Sequence, residues 1–291
     1  MIGKCLFPAA GYGTRFLPAT KAVPKEMLPI ITKPLLQYGV EEALSAGITN
    51  MAIVTGRGKR SIEDHFDNAY ELESQLSGTS KEYYLDEIKD IIEKATFTYV
   101  RQQKMLGLGH AILTGEPLIG NEPFAVILAD DLFDCSGDGV TSQLIKIYRK
   151  YQCSVIAIEE IPFTEVERYG IISGDLIDDT KNTYRVTNMF EKPKSHDLIE
   201  FVEGGVNPNN APSFMAIAGR YILTPDIFDI LKKIKPGKNG EIQITDALLS
   251  QAKKGKVIAY KFKGKRFDCG NIKGYVAATN HFAKTQDIDN I

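Results

Sequence analysis

The sequence predicts an α/β fold with a mixed, mostly parallel β-sheet and helices on both of its faces. Over roughly residues 1–150, short apolar runs alternate with helical patterns, which is typical of right-handed crossovers between parallel strands. A glycine-containing loop directly follows the first apolar run, at the strand end where such sheets bind ligands. After about residue 150, strand patterns follow one another with fewer helices between them, which predicts a smaller antiparallel extension.

The strands of the first half are predicted from short, continuous apolar runs, as expected when both faces of a parallel strand are buried. They are Lys4–Phe7, Met51–Thr55, Phe97–Val100, Phe124–Leu128 and Ser154–Glu159. The helices between them are predicted over Leu35–Ala46, Asp86–Lys94, Gly109–Leu118 and Val140–Tyr151. Gly47 closes the first of these helices, in the position that glycine favours after a helix.

The second half is predicted to hold the antiparallel extension. Its strands are expected over Gly170–Ile177, Tyr184–Phe190, Phe214–Leu223 and Val257–Phe262. Its helices are expected to begin at Pro225 and Glu241 and to span Gly274–Phe282. Gly204–Pro212 has almost no apolar content and is predicted to be a loop, and the basic cluster Lys261–Arg266 is predicted to be a solvated strand end.

Composition limits the classes of function. The chain has 291 residues, of which 43% are hydrophobic, and 35 basic against 37 acidic residues leave a formal net charge of −2. This balance gives no general basic field, so neither nucleic acid nor an anionic membrane is an expected partner. The four cysteines form no C-x-x-C pair, and no signal peptide or bilayer-length apolar run is present. We therefore expect a cytoplasmic, soluble protein without disulfides or a zinc site.

The most informative segment is Pro8–Pro29, which reads P-A-A-G-Y-G-T-R-F-L-P-A-T-K-A-V-P-K-E-M-L-P. Gly11 and Gly13 lack a Cβ, so the backbone N–H groups of this loop can approach a phosphate closely. Arg15 and Lys25 follow in a stretch too rich in proline to be one continuous helix. An ordinary turn would explain the glycines but not cations at fixed offsets. The segment therefore predicts a binding site for a nucleoside triphosphate.

Two better-known phosphate-binding loops are excluded. A dinucleotide-binding G-x-G-x-x-G motif is broken here by Phe16 and Pro18. A Walker motif fails at Gly58-Lys59, because Ile53 stands where its first glycine belongs and Arg60 follows the lysine.

The loop motif, with K-x-x-P-K-E-M-L-P after G-x-G-T-R, resembles the nucleoside-diphosphate-sugar pyrophosphorylases, and most closely their bacterial uridylyl-transferring members. The resemblance extends from about Cys5 to about Ala283. It implies a Rossmann-like nucleotidyltransferase fold in a single domain over 1–291. About 1–150 would form the nucleotide-binding half, and about 151–291 the sugar-binding and C-terminal part. It also implies that Ala9, Ala10, Gly11 and Gly13 contact the nucleotide.

A base-binding site is predicted in R-Q-Q-K-M-L-G-L-G-H-A, which ends a predicted strand and opens a helix. A glutamine amide can donate and accept, so it suits the O4 and N3–H edge of uracil. The matching glutamine and glycine hold the nucleobase in the resembling enzymes, which assigns this role to Gln102 and Gly107.

A metal site is predicted where the buried strand Phe124–Leu128 runs into Asp130 and Asp131, because Mg²⁺ prefers a few carboxylates together with phosphate oxygens. The residues alone do not choose between the two aspartates, and one could be a helix cap. The resemblance selects Asp130 as a nucleotide and metal residue and adds Asp268, from F-D-C-G, as the second ligand.

The sugar side is assigned by resemblance. Glu191 would accept hydrogen bonds from sugar hydroxyls, Lys192 would pair with the sugar phosphate, and Gly170 would let the hexose lie against the backbone. The catalytic cations would be Arg15, Lys25 and Lys192, acting with Mg²⁺.

The implied reaction is uridylyl transfer from UTP to α-D-glucose 1-phosphate, which gives UDP-glucose and pyrophosphate. The alternatives are a dTTP-using glucose-1-phosphate thymidylyltransferase and a non-catalytic nucleotide-binding regulator. The family also suggests a homodimer or homotetramer. The chain departs from the family pattern at Phe214 and Ile272.

Overall fold

A computed structural model describes residues 2–179, 181–194, 197–198, 213–237 and 240–285; the predicted loop Gly204–Pro212 lies outside them. The strands are β1 Lys4–Pro8, β2 Pro29–Ile30, β3 Lys33–Pro34, β4 Asn50–Thr55, β5 Thr96–Arg101, β6 Phe124–Ile127, β7 Asp131–Asp134, β8 Ser154–Pro162, β9 Gly170–Leu176, β10 Thr183–Glu191, β11 Ser213–Leu223, β12 Val257–Lys261 and β13 Lys265–Asp268. The α-helices are α1 Leu35–Ser45, α2 Arg60–His65, α3 Tyr70–Leu76, α4 Asp86–Lys94, α5 Leu108–Thr114, α6 Glu116–Ile119, α7 Val140–Tyr151, α8 Asp226–Leu231, α9 Ile244–Ala252 and α10 Ile272–Thr285.

The main sheet of the described residues has the strand order β5-β4-β1-β6-β11-β8-β12-β10-β9. Strands β5, β4, β1 and β6 pair in parallel, as the alternation of strands and helices predicts. Strand β11 lies antiparallel between β6 and β8, and the beginning of β11 also pairs with β9. Strand β10 is antiparallel to both β9 and β12. Strand β12 is parallel to β8, so seven of the nine strands of this sheet run in the same direction and only β10 and β11 run in the opposite one. The mixed, mostly parallel sheet with an antiparallel extension is therefore confirmed.

Apolar side chains cover both faces of this sheet, because successive residues of a strand point to opposite sides. In β1, Leu6 packs into one layer, with α5, α8 and α9. Cys5 and Phe7 pack into the other layer, with α1, α2, α4 and α7. All four cysteines are free. Among the described residues, no helix combines the length and apolarity that a bilayer span requires.

Two predicted helices differ from the structure. The helix expected over Gly109–Leu118 is divided between α5 and α6, because Pro117 lacks the N–H group that a continuous helix would need. The helix expected from Glu241 begins at Ile244 instead. Ile242 N donates to Leu106 O at 2.7 Å and Ile242 O accepts from Gly109 N at 2.9 Å, so the segment before α9 is held against the start of α5.

The basic cluster Lys261–Arg266 is not a solvated strand end throughout, as its composition predicts. The side chain of Arg266 is 6% exposed and forms ion pairs with Asp131 and Glu159. It reaches them because β13 pairs antiparallel with β7 in a separate two-stranded ribbon, with Asp268 opposite Asp131. The burial of this cation is explained by carboxylates distant in the sequence.

Candidate active site

A cavity of about 470 Å³ opens beyond the carboxyl ends of β1 and β6, and both halves of the chain line it. The predicted site residues in its wall are Ala10, Gly11, Gly13, Lys25, Gln102, Gly107, Asp130, Gly170, Glu191 and Lys192. The structure thus brings together most of the residues that sequence and resemblance single out.

The loop after β1 folds into three short 3₁₀ turns, Thr14–Phe16, Ala19–Lys21 and Lys25–Met27, instead of one helix, as its prolines predict. Gly13 has φ 67°, a conformation that favours glycine, and a Cβ there would lie 3.1 Å from Cβ of Lys25. Thr20 Oγ1 donates to Gly13 O at 2.7 Å and fixes the bend. The loop therefore returns Lys25 to the glycines that line the cavity.

Two predicted residues of this loop lie at the border of the site. Ala9 is fully buried and its N–H donates to Val54 O at 2.9 Å, so Ala9 anchors the start of the loop to β4. Arg15 is exposed, and its Nη1 lies 3.5 Å from where a Cβ on Gly270 would stand.

Lys25 and Asp130 both line the cavity and form an ion pair, with Lys25 Nζ 2.6 Å from Asp130 Oδ2. Burial alone would lower the pKa of Lys25, but the carboxylates of Asp130 and Glu26 hold that pKa above its usual value. Burial alone would raise the pKa of Asp130, and the cations Lys25 and Arg15 hold it below its usual value. Both groups are therefore charged at neutral pH.

A second ion pair lies behind the first. Lys59 Nζ is 2.6 Å from Glu26 Oε2, and the two side chains are 6% and 1% exposed. Lys59, the lysine of the excluded Walker motif, therefore pairs with a buried carboxylate of the protein. Glu26 in turn adds negative potential next to Lys25.

Asp268, the last residue of β13, lies near Asp130 beside Gly270. Its Oδ1 accepts from Gly270 N at 3.1 Å, and its Oδ2 accepts from Arg168 Nη2 at 2.8 Å and from Tyr169 Oη at 3.0 Å. A Cβ on Gly270 would stand 2.9 Å from Asp130 Oδ2 and 3.0 Å from Asp268 Oδ1. Two carboxylates therefore border a space that the absence of a side chain at Gly270 keeps open.

Asp131, the neighbour that the residues alone could not separate from Asp130, has different partners. Its oxygens accept from Arg266 Nε at 2.8 Å, from Arg266 Nη2 at 2.9 Å and from Gly219 N at 2.7 Å. These bonds join β7 to β13 and β11. Asp131 therefore connects the separate β7–β13 ribbon to β11 of the main sheet, whereas Asp130 pairs with Lys25.

The predicted base-binding pair lines the cavity from the segment after β5, an edge strand of the main sheet. Gln102 is 3% exposed, and its side-chain Nε2 donates to His110 Nδ1 at 2.8 Å and to Gly107 O at 3.4 Å. Gly107 has φ 92°, and a Cβ there would lie 2.9 Å from Ile242 O. Glycine is required at this position because the segment before α9 crosses it.

The predicted sugar-binding residues line the cavity from β9 and β10, at the edge of the main sheet opposite β5. Gly170 and Glu191 face each other in the β9–β10 pair, and a Cβ on Gly170 would lie 3.5 Å from Glu191 Oε2. Thr245 Oγ1 donates to Glu191 Oε2 at 2.5 Å, and Lys192 Nζ lies 3.4 Å from Glu191 Oε1. The side chain of Lys192 is 58% exposed, so it can reach an incoming ligand.

Sequence reasoning missed several residues of the site. Glu241, Gln243 and Thr245 line the cavity, although their segment indicates an amphipathic helix start, to which no chemistry is assigned. The signal that could have found them is the similarity of E-I-Q-I-T-D to a family segment. Of the two departures, Phe214 packs against Phe163 in an apolar cluster, and Ile272 is 60% exposed at the start of α10.

Residues 6–285 match the family described as Nucleotidyl transferase. The chain is 60% identical over 281 residues to a UTP--glucose-1-phosphate uridylyltransferase of Pseudomonas aeruginosa, covering 96% of this chain and 95% of that protein. The crystal structure of an apo UDP-glucose pyrophosphorylase is 59% identical with a TM-score of 0.89, covering 98% of this chain and 99% of that one. A UDP-glucose pyrophosphorylase complexed with UDP-glucose is 56% identical with a TM-score of 0.86, covering 98% and 100%. With a family match over nearly its whole length, the chain belongs to the nucleotidyl transferase family.

Proposed function

We propose that the protein transfers a uridylyl group from UTP to α-D-glucose 1-phosphate and so produces UDP-glucose and pyrophosphate. The observation that carries this proposal is the order of the strands around one cavity. Gln102 follows β5 at one edge of the main sheet, Glu191 ends β10 near the opposite edge, and the Lys25–Asp130 pair follows β1 and β6 between them. On the first side, the amide of Gln102 can form hydrogen bonds with a base. On the other side, the carboxylate of Glu191 lies beside the exposed cation of Lys192. The relatives that match over nearly the whole chain carry the same activity in their names.

The residues suit an in-line displacement without a covalent enzyme intermediate. An oxygen of the sugar phosphate attacks the α-phosphorus of UTP, the bond to the bridging oxygen breaks, and pyrophosphate leaves with its electron pair. A phosphate is already ionised, so no general base is required. The work of the protein is to position the two substrates and to neutralise charge with Arg15, Lys25 and Lys192.

We propose that Asp130 and Asp268 hold a Mg²⁺ ion. The fit is supported by the space beside Gly270, where oxygens of both carboxylates converge. Two protein carboxylates leave the remaining positions to water and phosphate oxygens, which is the usual way Mg²⁺ binds. When bound, the ion supplies positive charge that neutralises the reacting phosphates.

The two lysines are predicted to act on different substrates. Lys25 follows the glycine loop, so Lys25→Ala should reduce turnover and weaken pyrophosphate binding in the reverse reaction. Lys192 lies beside Glu191, so Lys192→Ala should raise KM for glucose 1-phosphate while UTP affinity stays within about twofold. Loss of either cation should cost roughly 2–4 kcal/mol in transition-state stabilisation. Steady-state kinetics in both directions and calorimetry with UTP measure these effects.

Lys194 offers a matched control for Lys192, because it is exposed on the same stretch and does not line the cavity. Lys194→Ala should leave KM for glucose 1-phosphate within about twofold of the unmodified protein. If Lys192→Ala instead abolished UTP binding and spared the sugar phosphate, the assignment of the two sides of the cavity to different substrates would be wrong.

The overall proposal is tested by pyrophosphate release from each of UTP, dTTP, CTP, ATP and GTP, with several sugar 1-phosphates as acceptors. We expect the highest kcat/KM with UTP and glucose 1-phosphate. Equal rates with UTP and dTTP would favour the thymidylyltransferase. Absence of pyrophosphate with every pair would favour a non-catalytic nucleotide-binding regulator.

We further propose a cytoplasmic homodimer or homotetramer. The free cysteines and the absence of a disulfide among them suit a reducing compartment. Size-exclusion chromatography with light scattering distinguishes a dimer from a tetramer.

A further inference from the structure

We infer that His110 holds the side-chain amide of Gln102 in one orientation, so that only the amide oxygen faces the base. This inference rests on the proposed function and deepens it, because it assigns a residue to the choice of base. It makes His110 a positioning residue, which acts on the nucleotide through Gln102.

The hydrogen-bond partners of Gln102 carry the argument. Its Nε2 lies 2.8 Å from His110 Nδ1 and 3.4 Å from Gly107 O, and a backbone carbonyl can only accept. Both hydrogens of the amide are thus directed at acceptors within the protein. What remains of the amide is Oε1, on a side chain that lines the cavity. The amide therefore accepts from a ligand and does not donate to it, so of the two uracil groups expected from the sequence it can pair with N3–H and not with O4.

The shorter of these two bonds defines the state of His110. For Nδ1 to accept, the ring proton must be on Nε2, and the ring must be neutral. Burial lowers the pKa of His110, which favours the neutral ring. The bond to Gly107 O is long, so without His110 it would hold the amide only weakly.

The element that carries His110 is itself fixed in position. Gly109 N donates to Ile242 O at 2.9 Å, and a Cβ on Gly109 would lie 2.7 Å from that oxygen. The start of α5 is therefore packed directly against the segment before α9. Gln102 is anchored as well, because its backbone N–H donates to Thr55 O at 2.8 Å. A rotation of the amide is therefore the easiest change open to this pair.

An amide fixed in this way distinguishes bases by the group at N3. Uracil and thymine present N3–H, which the Oε1 atom of Gln102 can accept. Cytosine presents an unprotonated N3, so an acceptor would face an acceptor and both would remain unpaired. A buried polar group left unpaired is costly, and sites built on such contacts reject the wrong ligand strongly. If the amide could rotate by about 180°, its Nε2 could donate to N3 of cytosine, and the selectivity for UTP over CTP would fall.

The test compares kcat/KM for UTP and CTP, with glucose 1-phosphate as acceptor, in three proteins. His110→Phe keeps an aromatic ring and removes the acceptor. His110→Asn is the rescue variant, because Oδ1 of asparagine is attached to Cγ as Nδ1 of histidine is. We expect the unmodified protein to prefer UTP by about 100-fold or more. His110→Phe should reduce that ratio at least about tenfold, through KM for the nucleotide more than through kcat. His110→Asn should keep the ratio within about threefold.

Two results would overturn the inference while UDP-glucose formation stands. One is an unchanged ratio in His110→Phe, and the other is a loss in His110→Asn as large as in His110→Phe. Inability of the unmodified protein to use UTP would instead overturn the proposed function. If His110→Phe did not fold, as judged by circular dichroism, His110→Leu would replace it with the same expected loss of selectivity.

Discussion

Asp130→Asn is expected to lower turnover by about 100-fold or more, at least about 2.7 kcal/mol in activation free energy. The substitution removes the negative charge of a carboxylate that pairs with Lys25 and that we propose as a metal ligand. Asparagine keeps the size of the side chain, so the loss can be ascribed to charge. Pyrophosphate release measured across a Mg²⁺ titration should show both lower turnover and a higher Mg²⁺ requirement.

Asp268→Asn should behave in the same way, because its carboxylate borders the same space beside Gly270. Asp134 is the matched control, since it lies at the far end of β7 and pairs with His281. Asp134→Asn should retain turnover within about twofold. A near-normal Mg²⁺ dependence in Asp130→Asn would remove the metal assignment.

Arg220→Met is expected to lower the free energy of unfolding by about 3–5 kcal/mol, because it leaves a buried carboxylate without its partner. Arg220 is 2% exposed, and its Nη2 lies 2.8 Å from Glu42 Oε2. Burial alone would raise the pKa of Glu42, but Arg220 and Thr141 hold that pKa below its usual value. Arg220 Nη1 also donates to Leu128 O at 3.0 Å, just before Asp130. Urea denaturation followed by circular dichroism measures the loss.

Two further variants check this explanation. The double variant Glu42→Leu/Arg220→Met should recover much of the lost stability, because it removes the uncompensated charge. Arg60→Met is the control for an exposed pair: Arg60 and Asp64 are 86% and 62% exposed, so the change should cost less than about 1 kcal/mol. An Arg220→Met protein within about 1 kcal/mol of the unmodified one would contradict the role assigned to the buried pair.

The convergence of the glycine loop, Lys25 and Asp130 on one cavity was predictable because its signals are local. An apolar run that ends in Asp130, and a glycine loop that ends in Lys25, each place chemistry at the end of a parallel strand. Neighbouring parallel strands then bring the two together, as the β1–β6 pairing does. No long-range contact had to be known in advance.

The rest depends on partners that are distant in the sequence. The distinct role of Asp131 is evident only with Arg266, and β7 and β13 come together only in the folded chain. The role of the segment before α9 could not be assigned from its pattern. It contacts Gly107 and Gly109 mainly through the backbone of Ile242, and a residue of any type at position 242 would have the same backbone C=O. Periodicity cannot report a contact of that kind.

The antiparallel insertion of β11 has a consequence for how the chain can fold during its synthesis. Strand β6 is fully buried, and its neighbours are β1 and β11. Until β11 has been synthesised as far as Leu223, one edge of β6 has no partner. An apolar strand with an unpaired edge is prone to associate with other chains. We therefore expect a fragment ending near residue 150 to aggregate. The part of the chain before residue 150 therefore depends on β11 to complete its sheet, and we do not expect it to be stable when it is expressed alone.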